Sequence, residues 1–378
     1  MFFLVPIGLL LAVLYAWSIA SFPWLARRRR AVAVVLSALW LAQIVSHWLV
    51  GHDLTSTAPR MIVELIVMPL VISAFPIGAL RLALWALERR QKPAEVDATE
   101  GMSRRQLIEG AAGVALIGGT GSMLGWGMAR GRHAFEMSEV PVRIAGLPPV
   151  LDGYVIAQIS DIHGGLYVGE RELDEGLEYV RKARPDLIVA TGDLVDFDAE
   201  WAPMIGRKLV DLGPRDGVVA VPGNHDYYAD VDDVADALRE AGVKMLVDDG
   251  LVIRPRDGGG FSLLGVDDRW STRYGRTGPR LARALSMVPP HLARILLSHQ
   301  PPTVDLWAGQ VALQLSGHTH GGQINPGFRP ADLFLRYVSG LYQVGGTTLY
   351  VNRGFGTVGT PSRVGAPPEV TRFVLVAA

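Results

Sequence analysis

Histidine, aspartate and asparagine recur in five short motifs between residues 161 and 320. Each motif follows a short apolar run with the length and composition of a buried strand. Ligand sites in open α/β sheets lie outside the carboxyl ends of the strands, so five such ends bring these polar side chains together. In chain order the motifs are Asp161-Ile162-His163, Gly192-Asp193, Gly223-Asn224-His225-Asp226, His299 and Gly317-His318-Thr319-His320.

The polar side chains of these motifs are nitrogen and oxygen donors, which suit divalent manganese, iron or zinc ions. The 378-residue chain contains no cysteine, so thiolate metal sites and disulfides are excluded. Seven donors are too many for one ion and fit two ions if one carboxylate bridges them. Asp193, central in the motif order, is the predicted bridge. The predicted metal ligands are Asp161, His163, Asp193, Asn224, His299, His318 and His320.

Five apolar segments must form the strands that position these ligands. From about residue 141, short apolar runs alternate with amphipathic stretches, which is typical of an α/β or α+β domain with a largely buried sheet. Gly192, Gly223 and Gly317 each precede a ligand, and glycine permits a sharp turn there. We therefore predict a connector at residues 131–150 and a catalytic domain at 151–378. The predicted strands are residues 155–160, 187–191, 218–222, 295–298 and 311–316.

The order of these motifs resembles the calcineurin-like metallophosphoesterase superfamily, over about 220 residues from Val155 to the C-terminus. The segments 317–323, 352–357 and 368–370 resemble its branch of membrane-linked bacterial phosphohydrolases, which includes a UDP-diacylglucosamine pyrophosphatase. The resemblance implies a four-layer αββα sandwich. It also implies hydrolysis of a phosphate ester or pyrophosphate by in-line attack of a metal-activated water.

Carried over by position, the resemblance implies two ligand groups that share Asp193. His225 would face the substrate and protonate the leaving oxygen, and Asp226 would orient the His225 imidazole. Arg353 and Arg363 lie in the C-terminal motif and either contact the substrate phosphate or pin the tail to the sheet. One implied group is Asp161, His163, Asp193 and His320; the other is Asp193, Asn224, His299 and His318, with Asn224 also neutralising phosphate charge.

The first third of the chain has the apolar lengths of membrane-spanning helices. We predict an all-helical transmembrane region at residues 1–130, with spans at 2–25, 31–50, 61–87 and 108–129. Basic residues at 27–30 and in the polar segment 88–105 lie two crossings apart, which places both on the cytoplasmic side. The prediction is a multi-pass protein of the cytoplasmic membrane with an extracytoplasmic catalytic domain.

Residues 108–129 leave alternatives open. The preceding segment 103–108, with Arg104 and Arg105, resembles a twin-arginine export signal followed by a weakly hydrophobic core. A retained fourth helix with a basic flank fits equally well, and both readings place the catalytic domain outside the cytoplasm. A glycine-rich linker that does not cross the membrane would leave the domain inside.

The charge distribution bears on the substrate. Residues 1–130 carry a net charge of +5, whereas residues 131–378 carry −6. Nonspecific nucleic-acid binding requires a basic face, so we expect no nucleic-acid partner and favour a membrane- or lipid-linked phosphate ester. The alternatives are a nucleotide phosphodiesterase or nuclease on the same scaffold, and a non-enzymatic membrane protein with a structural metal site. Five arginines between 269 and 283 either recruit an anionic headgroup or form a solvated helix face.

Overall fold

The computed structural model of the chain describes residues 4–50, 57–88, 102–253 and 260–378. The chain divides into two compact units, Met1–Trp126 and Gly127–Ala378. The described part of the first unit is helical, and the second unit contains all the described strands. The helices that begin in the first unit are α1 (Leu4–Ser21), α2 (Pro23–Arg27), α3 (Arg29–Val50), α4 (Thr57–Glu88) and α5 (Arg104–Ala129).

Two apolar stretches in the described residues, Ile62–Leu87 and Arg104–His133, are long enough to cross a membrane by length and composition. The first predicted span is interrupted, because Phe22 is extended and Pro23 begins the short helix α2. The glycine-rich stretch within α5 is helical rather than an irregular linker. The predicted polar segment 88–105 lies largely outside the described residues.

Helices α1, α3 and α4 pack together in the first unit through an apolar core. Gln43 of α3 donates a hydrogen bond of 2.8 Å to the Glu64 carboxylate of α4, and both side chains are buried. Glu64 is the one acidic residue of the third predicted span. Its pairing with an amide reduces the cost of placing a carboxyl group among apolar side chains.

The second unit contains twelve strands and six short helices within the described residues. The strands are β1 (Glu136–Ile144), β2 (Val155–Ile159), β3 (Leu187–Thr191), β4 (Val218–Val221), β5 (Lys244–Met245), β6 (Asp249–Ile253), β7 (Phe261–Gly265), β8 (Arg294–Leu297), β9 (Leu313–Ser316), β10 (Gly340–Val344), β11 (Thr347–Val351) and β12 (Glu369–Ala377). The helices are α6 (Glu170–Ala183), α7 (Ala202–Val210), α8 (Asn224–Tyr228), α9 (Val231–Glu240), α10 (Leu281–Ser286) and α11 (Val304–Trp307).

These strands form two six-stranded sheets, in the orders β1-β12-β2-β3-β4-β5 and β10-β11-β9-β8-β7-β6. Strands β2, β3 and β4 are parallel in the first sheet, and β7, β8 and β9 are parallel in the second. Parallel strands end at a common sheet edge. The five predicted strands correspond to β2, β3, β4, β8 and β9, so each predicted motif starts at such an edge.

The two sheets pack face to face, and helices cover their outer faces. Alternate residues of β3 show this arrangement: Ile188 and Ala190 pack against α6, α7 and α9, whereas Leu187 and Val189 pack between the sheets. Both faces of β3 are therefore buried, which explains its uninterrupted apolar sequence. On the second sheet, α10 packs its apolar face on Leu264 and Leu296. The result is the predicted four-layer αββα sandwich.

The prediction of a connector at residues 131–150 is wrong, because β1 occupies Glu136–Ile144 and pairs in parallel with β12. This strand contains Pro141. Proline lacks an N–H donor and is tolerated on an edge strand, and β1 is the outermost strand of its sheet. The second unit accordingly begins before residue 151.

Candidate metal centre

The loops that carry the predicted ligands are joined to one another by backbone hydrogen bonds. The Asp161 amide donates to the Gly192 carbonyl, the His163 amide to the Asp193 carbonyl, and the Gly317 amide to the His299 carbonyl, each at 3.0 Å. These bonds hold the ends of β2 and β3, and the ends of β8 and β9, at fixed spacing. The ligand side chains therefore rest on a rigid backbone.

Five of the seven predicted ligands have a left-handed backbone conformation, with φ between 50° and 73°. Such values are uncommon for residues with a side chain and cost about 1–3 kcal/mol each, so they persist only where the surrounding structure enforces them. Strain of this kind collects at functional sites. The residues are Asp161, His163, Asp193, His318 and His320.

The glycines before the ligands serve two different purposes. Gly192 has φ of 85°, the turn conformation predicted for it. Gly223 and Gly317 are instead needed for close approach. A Cβ atom on Gly223 would lie 2.2 Å from Asp193 Oδ1, and one on Gly317 would lie 2.2 Å from Asp161 Oδ2. A side chain at either position would displace a ligand carboxylate.

The first predicted ligand group converges around His163. Its Nε2 lies 3.0 Å from Nε2 of His320 and 3.7 Å from Oδ2 of Asp193. His320 Nε2 in turn lies 3.5 Å from Oδ1 of Asp161. All four side chains are buried. Four donor atoms from three separate loops thus face one another.

The second group converges around His299. Its Nε2 lies 3.2 Å from Asp193 Oδ2, 3.2 Å from Asn224 Oδ1 and 3.1 Å from His318 Nδ1. The other ring nitrogen, Nδ1, lies 2.8 Å from the Thr191 carbonyl, which fixes the ring and turns Nε2 toward the group. Asp193 Oδ2 approaches both His163 and His299, so it lies between the two groups.

The donor chemistry of these groups fits divalent cations. Imidazole nitrogens meet at 3.0 and 3.1 Å in the two groups, and neutral rings with lone pairs facing each other repel unless a proton or a cation lies between them. Ligand atoms of Asp161, His163 and His320 lie within 4.8 Å of one another, as do those of Asp193, His299 and His318. Mixed imidazole and carboxylate donors suit manganese, iron and zinc.

Sequence comparison agrees with this geometry. The sequence model of the calcineurin-like phosphoesterase family matches residues 154–322. The metallophosphoesterase YkuE of Bacillus subtilis is 34% identical over 287 residues, covering 72% of this chain and 98% of YkuE. The chain belongs to the calcineurin-like phosphoesterase family.

Two further relatives share most of the chain. A Danio rerio protein named transmembrane protein with metallophosphoesterase domain is 31% identical, covering 90% of this chain and 80% of the relative. The Escherichia coli phosphodiesterase YaeI is 28% identical, covering 73% of this chain and 100% of the relative. This chain is accordingly a metal-dependent hydrolase of phosphate ester bonds, and the alternative of a non-enzymatic membrane protein is wrong.

In this phosphoesterase, the carboxylate beside the His225 ring belongs to Asp196. Its Oδ1 lies 2.9 Å from His225 Nδ1 and 3.4 Å from His163 Nδ1. Asp226, predicted to orient His225, accepts hydrogen bonds from the amides of Gly223, Leu194 and Val195 instead. Asp226 lies in the first turn of α8, where its carboxylate folds back onto the Gly223 amide and also reaches the Leu194 and Val195 amides of the loop after β3. Sequence analysis missed Asp196, which stands three residues after Asp193.

The charges around His225 favour its protonated form. Burial lowers the pKa of His225, but Asp193 and Asp196 outweigh burial and raise it to about 9. Burial opposes ionisation of Asp196, yet the close approach of the His163 and His225 rings lowers its pKa to about 2. A histidine that keeps its proton at neutral pH, beside an ionised carboxylate, is suited to act as a general acid.

Arg353 and Arg363 lie in the C-terminal crossover, residues 352–368, which connects β11 of the second sheet to β12 of the first. The Arg363 guanidinium is buried and donates to the carbonyls of Gly356, His320, Arg353 and Ala366. It also lies 3.2 Å from His320 Nδ1. Arg353 pairs with Glu369 at 3.1 Å and Glu136 at 3.0 Å. These contacts favour the alternative in which both arginines pin the tail.

Aromatic rings line one side of the centre. The Tyr228 ring lies 4.9 Å from the His225 ring, and the Phe197 ring lies 5.4 Å from it. Trp270 contacts Tyr228 edge-on at 5.8 Å. Phe197 and Tyr228 are exposed. Sequence analysis did not identify Phe197, four residues after Asp193, or Tyr228, two residues after Asp226.

The arginines between 269 and 283 are largely paired within the domain. Arg276 forms an ion pair of 2.6 Å with Asp232, and Arg280 one of 2.9 Å with Asp248. Arg273 stacks over Trp270 at 3.8 Å. These three side chains have protein partners, which favours the alternative of a solvated surface over a headgroup site.

Proposed function

We propose that this phosphoesterase uses two divalent ions to hydrolyse a membrane- or lipid-linked phosphate ester or pyrophosphate. The observation that carries the proposal is the position of Asp193. Its Oδ2 lies 3.2 Å from one histidine group and 3.7 Å from the other, so a single carboxylate faces both sets of donors. One ion would use only half of the buried donors that converge there.

The residues divide into two ligand groups. Asp161, His163 and His320 would hold one ion, and Asn224, His299 and His318 the other, with Asp193 shared. Bound divalent ions supply Lewis acidity: they lower the pKa of a water and neutralise charge on the phosphate. Manganese, iron and zinc each match this nitrogen and oxygen set.

His225 would deliver a proton to the leaving oxygen of the ester. The charges of Asp193 and Asp196 keep its imidazolium form populated at neutral pH. Asp196 would hold the ring through Nδ1, which leaves Nε2 for the substrate. The Asn224 amide lies next to His225 in α8, and its NH₂ group would donate to a phosphate oxygen. No serine or cysteine nucleophile lies among these motifs.

The expected attachment of this chain to a membrane supports the proposal of a lipid-linked substrate. Two described stretches have the length and composition to span a bilayer, and a relative is named a transmembrane protein. We infer four spans in the cytoplasmic membrane with the catalytic domain outside, because the basic residues at 27–30 and 88–105 fall two crossings apart. Tethering a hydrolase to a bilayer raises its local concentration relative to a lipid substrate.

An Asp193→Asn variant tests the proposal, with Asp236→Asn as the matched control on an exposed surface. We expect purified wild type to bind two manganese ions per chain and to hydrolyse a chromogenic phosphodiester. Asp193→Asn should lose at least one ion and fall by about 10³-fold or more in kcat/KM. Full turnover by Asp193→Asn, or one ion per wild-type chain under metal-replete conditions, would contradict the dinuclear proposal.

The same pair of variants identifies the substrate. Lipids extracted from cells that overproduce wild type or Asp193→Asn are compared by mass spectrometry. A phosphorylated lipid that is depleted only by the active form supports the proposed class. Depletion of water-soluble phosphate esters alone would contradict it.

The aromatic side of the centre favours a second candidate, a nucleotide phosphodiesterase. Phe197 and Tyr228 are exposed, and their rings already stack at 5.9 Å with an interplanar angle of 18°. A nucleobase stacks on such rings. Tyr228→Ala separates the candidates: it should raise KM for a cyclic dinucleotide about tenfold under the second candidate and leave KM for a simple nitrophenyl diester unchanged.

A further inference from the structure

A short segment of the phosphoesterase domain displays large apolar side chains to solvent. Leu333 is 74% exposed, Phe334 85% and Phe328 63%, and the adjacent Leu335 is also exposed. In the described residues of the domain, no other three consecutive large apolar side chains are all exposed. Soluble domains rarely display such clusters unless another apolar surface covers them.

The exposed side chains of residues 328–335 form an apolar tip. The residues on either side of this tip are hydrogen-bonded to residues 318–321, the loop that carries the candidate ligands His318 and His320. Before the tip, the Asn325 side chain donates to the Gly321 carbonyl at 3.0 Å. After the tip, the Val338 carbonyl accepts a hydrogen bond from Thr319 at 2.5 Å, and Thr319 stands between the candidate ligands His318 and His320. Whatever surface covers the apolar tip is therefore held next to the metal centre.

The tip itself has a defined shape. Residues Pro330–Leu333 form a 3-10 turn. Arg329, just before the turn, pairs with Asp332 at 2.8 Å and donates to Ser339 at 2.7 Å. These bonds brace the turn from within, so Leu333 and Phe334 project from a fixed base. Because these bonds already fix the turn, its apolar side chains lose little conformational entropy when they insert into another apolar phase.

We propose that residues 328–335 form a docking surface that inserts into the lipid bilayer beside the metal centre. The proposal rests on the membrane anchorage inferred above. Helix α5 ends at Ala129 and β1 begins at Glu136, so six residues connect an apolar stretch of membrane-spanning length to the domain. Six extended residues reach about 20 Å. The domain cannot leave the vicinity of the bilayer, and a lipid surface is the apolar surface always within reach.

The charges around the tip predict which lipid it prefers. Arg329 pairs with Asp332, and Arg336 beyond the tip pairs with Asp305 at 3.2 Å. The charged side chains that flank the tip therefore carry no net charge. Burial of the apolar side chains, rather than attraction to anionic headgroups, would drive insertion into the bilayer. Insertion of residues 328–335 is therefore expected to be the same in neutral phosphatidylcholine as in vesicles that contain phosphatidylglycerol.

The absence of cysteine from the chain gives a direct test. A single Phe334→Cys change in the full-length protein carries an environment-sensitive fluorophore, and Met287→Cys, exposed on another part of the domain, is the control. Both proteins are reconstituted in phosphatidylcholine vesicles that contain lipids with a quencher on the acyl chain. The label at 334 should be blue-shifted and several-fold more quenched than the label at 287.

Two outcomes would overturn the proposal. Equal quenching at both positions would show that the tip stays in water. A blue-shifted label at 334 that acyl-chain quenchers do not reach, but that self-quenches at high protein density, would show that a second copy of the chain covers it.

Hydrolysis supplies a second readout. The double variant Leu333→Ser, Phe334→Ser should act on a soluble phosphodiester within about twofold of wild type, and on a vesicle-borne phosphate ester about tenfold more slowly. Met287→Ser should change neither rate. An equal rate on both substrates in the double variant would count against the docking surface. If the wild type hydrolyses neither substrate, the proposed function fails while the quenching result still decides the docking.

Discussion

The metal centre and the C-terminal crossover both bury charged side chains within one domain, but they satisfy them differently. Around His163 and His299, donor atoms converge on one another at 3.0–3.7 Å. Around Arg363, the guanidinium nitrogens meet backbone carbonyls, and Arg353 meets carboxylates. A buried polar group with complete protein partners stabilises the fold, whereas donors that converge on each other indicate a ligand. Burial alone does not distinguish a site from a structural contact.

Besides the shared Asp193, the largest effect is expected at His225, which lies at the border of the metal centre. His225→Gln should lower kcat about 10²–10⁴-fold, because the leaving oxygen loses its proton donor. Metal content, measured by plasma mass spectrometry, should equal that of wild type. The control is His291→Gln on the exposed surface. His225 also lies within ligand distance of His163 and Asp193, so the loss of one ion would make it a ligand rather than an acid.

A smaller effect is expected at Asp196, whose Oδ1 lies 2.9 Å from His225 Nδ1. Asp196→Asn should reduce kcat about tenfold at neutral pH. Asp196 helps to raise the pKa of His225, and activity that needs protonated His225 is lost as pH rises through that pKa. The alkaline fall of kcat should therefore move to lower pH. Asp198→Asn is the control. An unchanged pH profile in Asp196→Asn would show that Asp196 does not orient His225.

A substitution at Arg353 tests whether the buried charges of the C-terminal crossover have a structural role. Arg353→Gln should lower the free energy of unfolding by about 1–3 kcal/mol, since the buried Glu369 carboxylate loses a charged donor. KM for the phosphodiester should change by less than about threefold. Glu369→Gln should reproduce the same loss of stability, measured by urea denaturation. A tenfold rise in KM for Arg353→Gln alone would place this arginine on the substrate.

The smallest effect is expected where charge is exposed. Arg276→Gln breaks the surface pair with Asp232 and should change the free energy of unfolding by at most about 0.5 kcal/mol. Arg239→Gln, which breaks another surface ion pair, is the control. The rate of the reconstituted protein on an anionic vesicle-borne phosphate ester should also be unchanged. A marked loss of that rate would instead support the arginine segment as a headgroup site.

The sequence predicted the strand ends well because both sheets carry uninterrupted apolar runs. Strands such as β3 are buried on both faces, so their boundaries coincide with the first polar residue. Strand β1 was missed because few of its residues are buried, so it has no continuous apolar run in the sequence. As an edge strand it also tolerates Pro141. Local composition describes central strands better than edges, since an edge is stabilised by one partner distant in the chain.

For the centre, chain order predicted the seven donors that the fold brings together, and their grouping around Asp193 matches the implied one. Whether each binds an ion stays a prediction. Sequence reasoning failed where a role depends on side-chain direction. Asp226 follows His225 in the chain, but its carboxylate turns to the backbone, and Asp196 reaches His225 from another loop. Adjacency in sequence does not fix which carboxylate faces a ring.

The donor atoms come from both sheets of the sandwich: those after β2, β3 and β4 belong to the first, and those after β8 and β9 to the second. Ions bound by these atoms would cross-link the two sheets of the domain. Folding and metal uptake are then linked, so the temperature of unfolding should rise with free ion concentration and fall in chelator. A cell short of such ions would lose the enzyme to proteolysis as well as to inactivity.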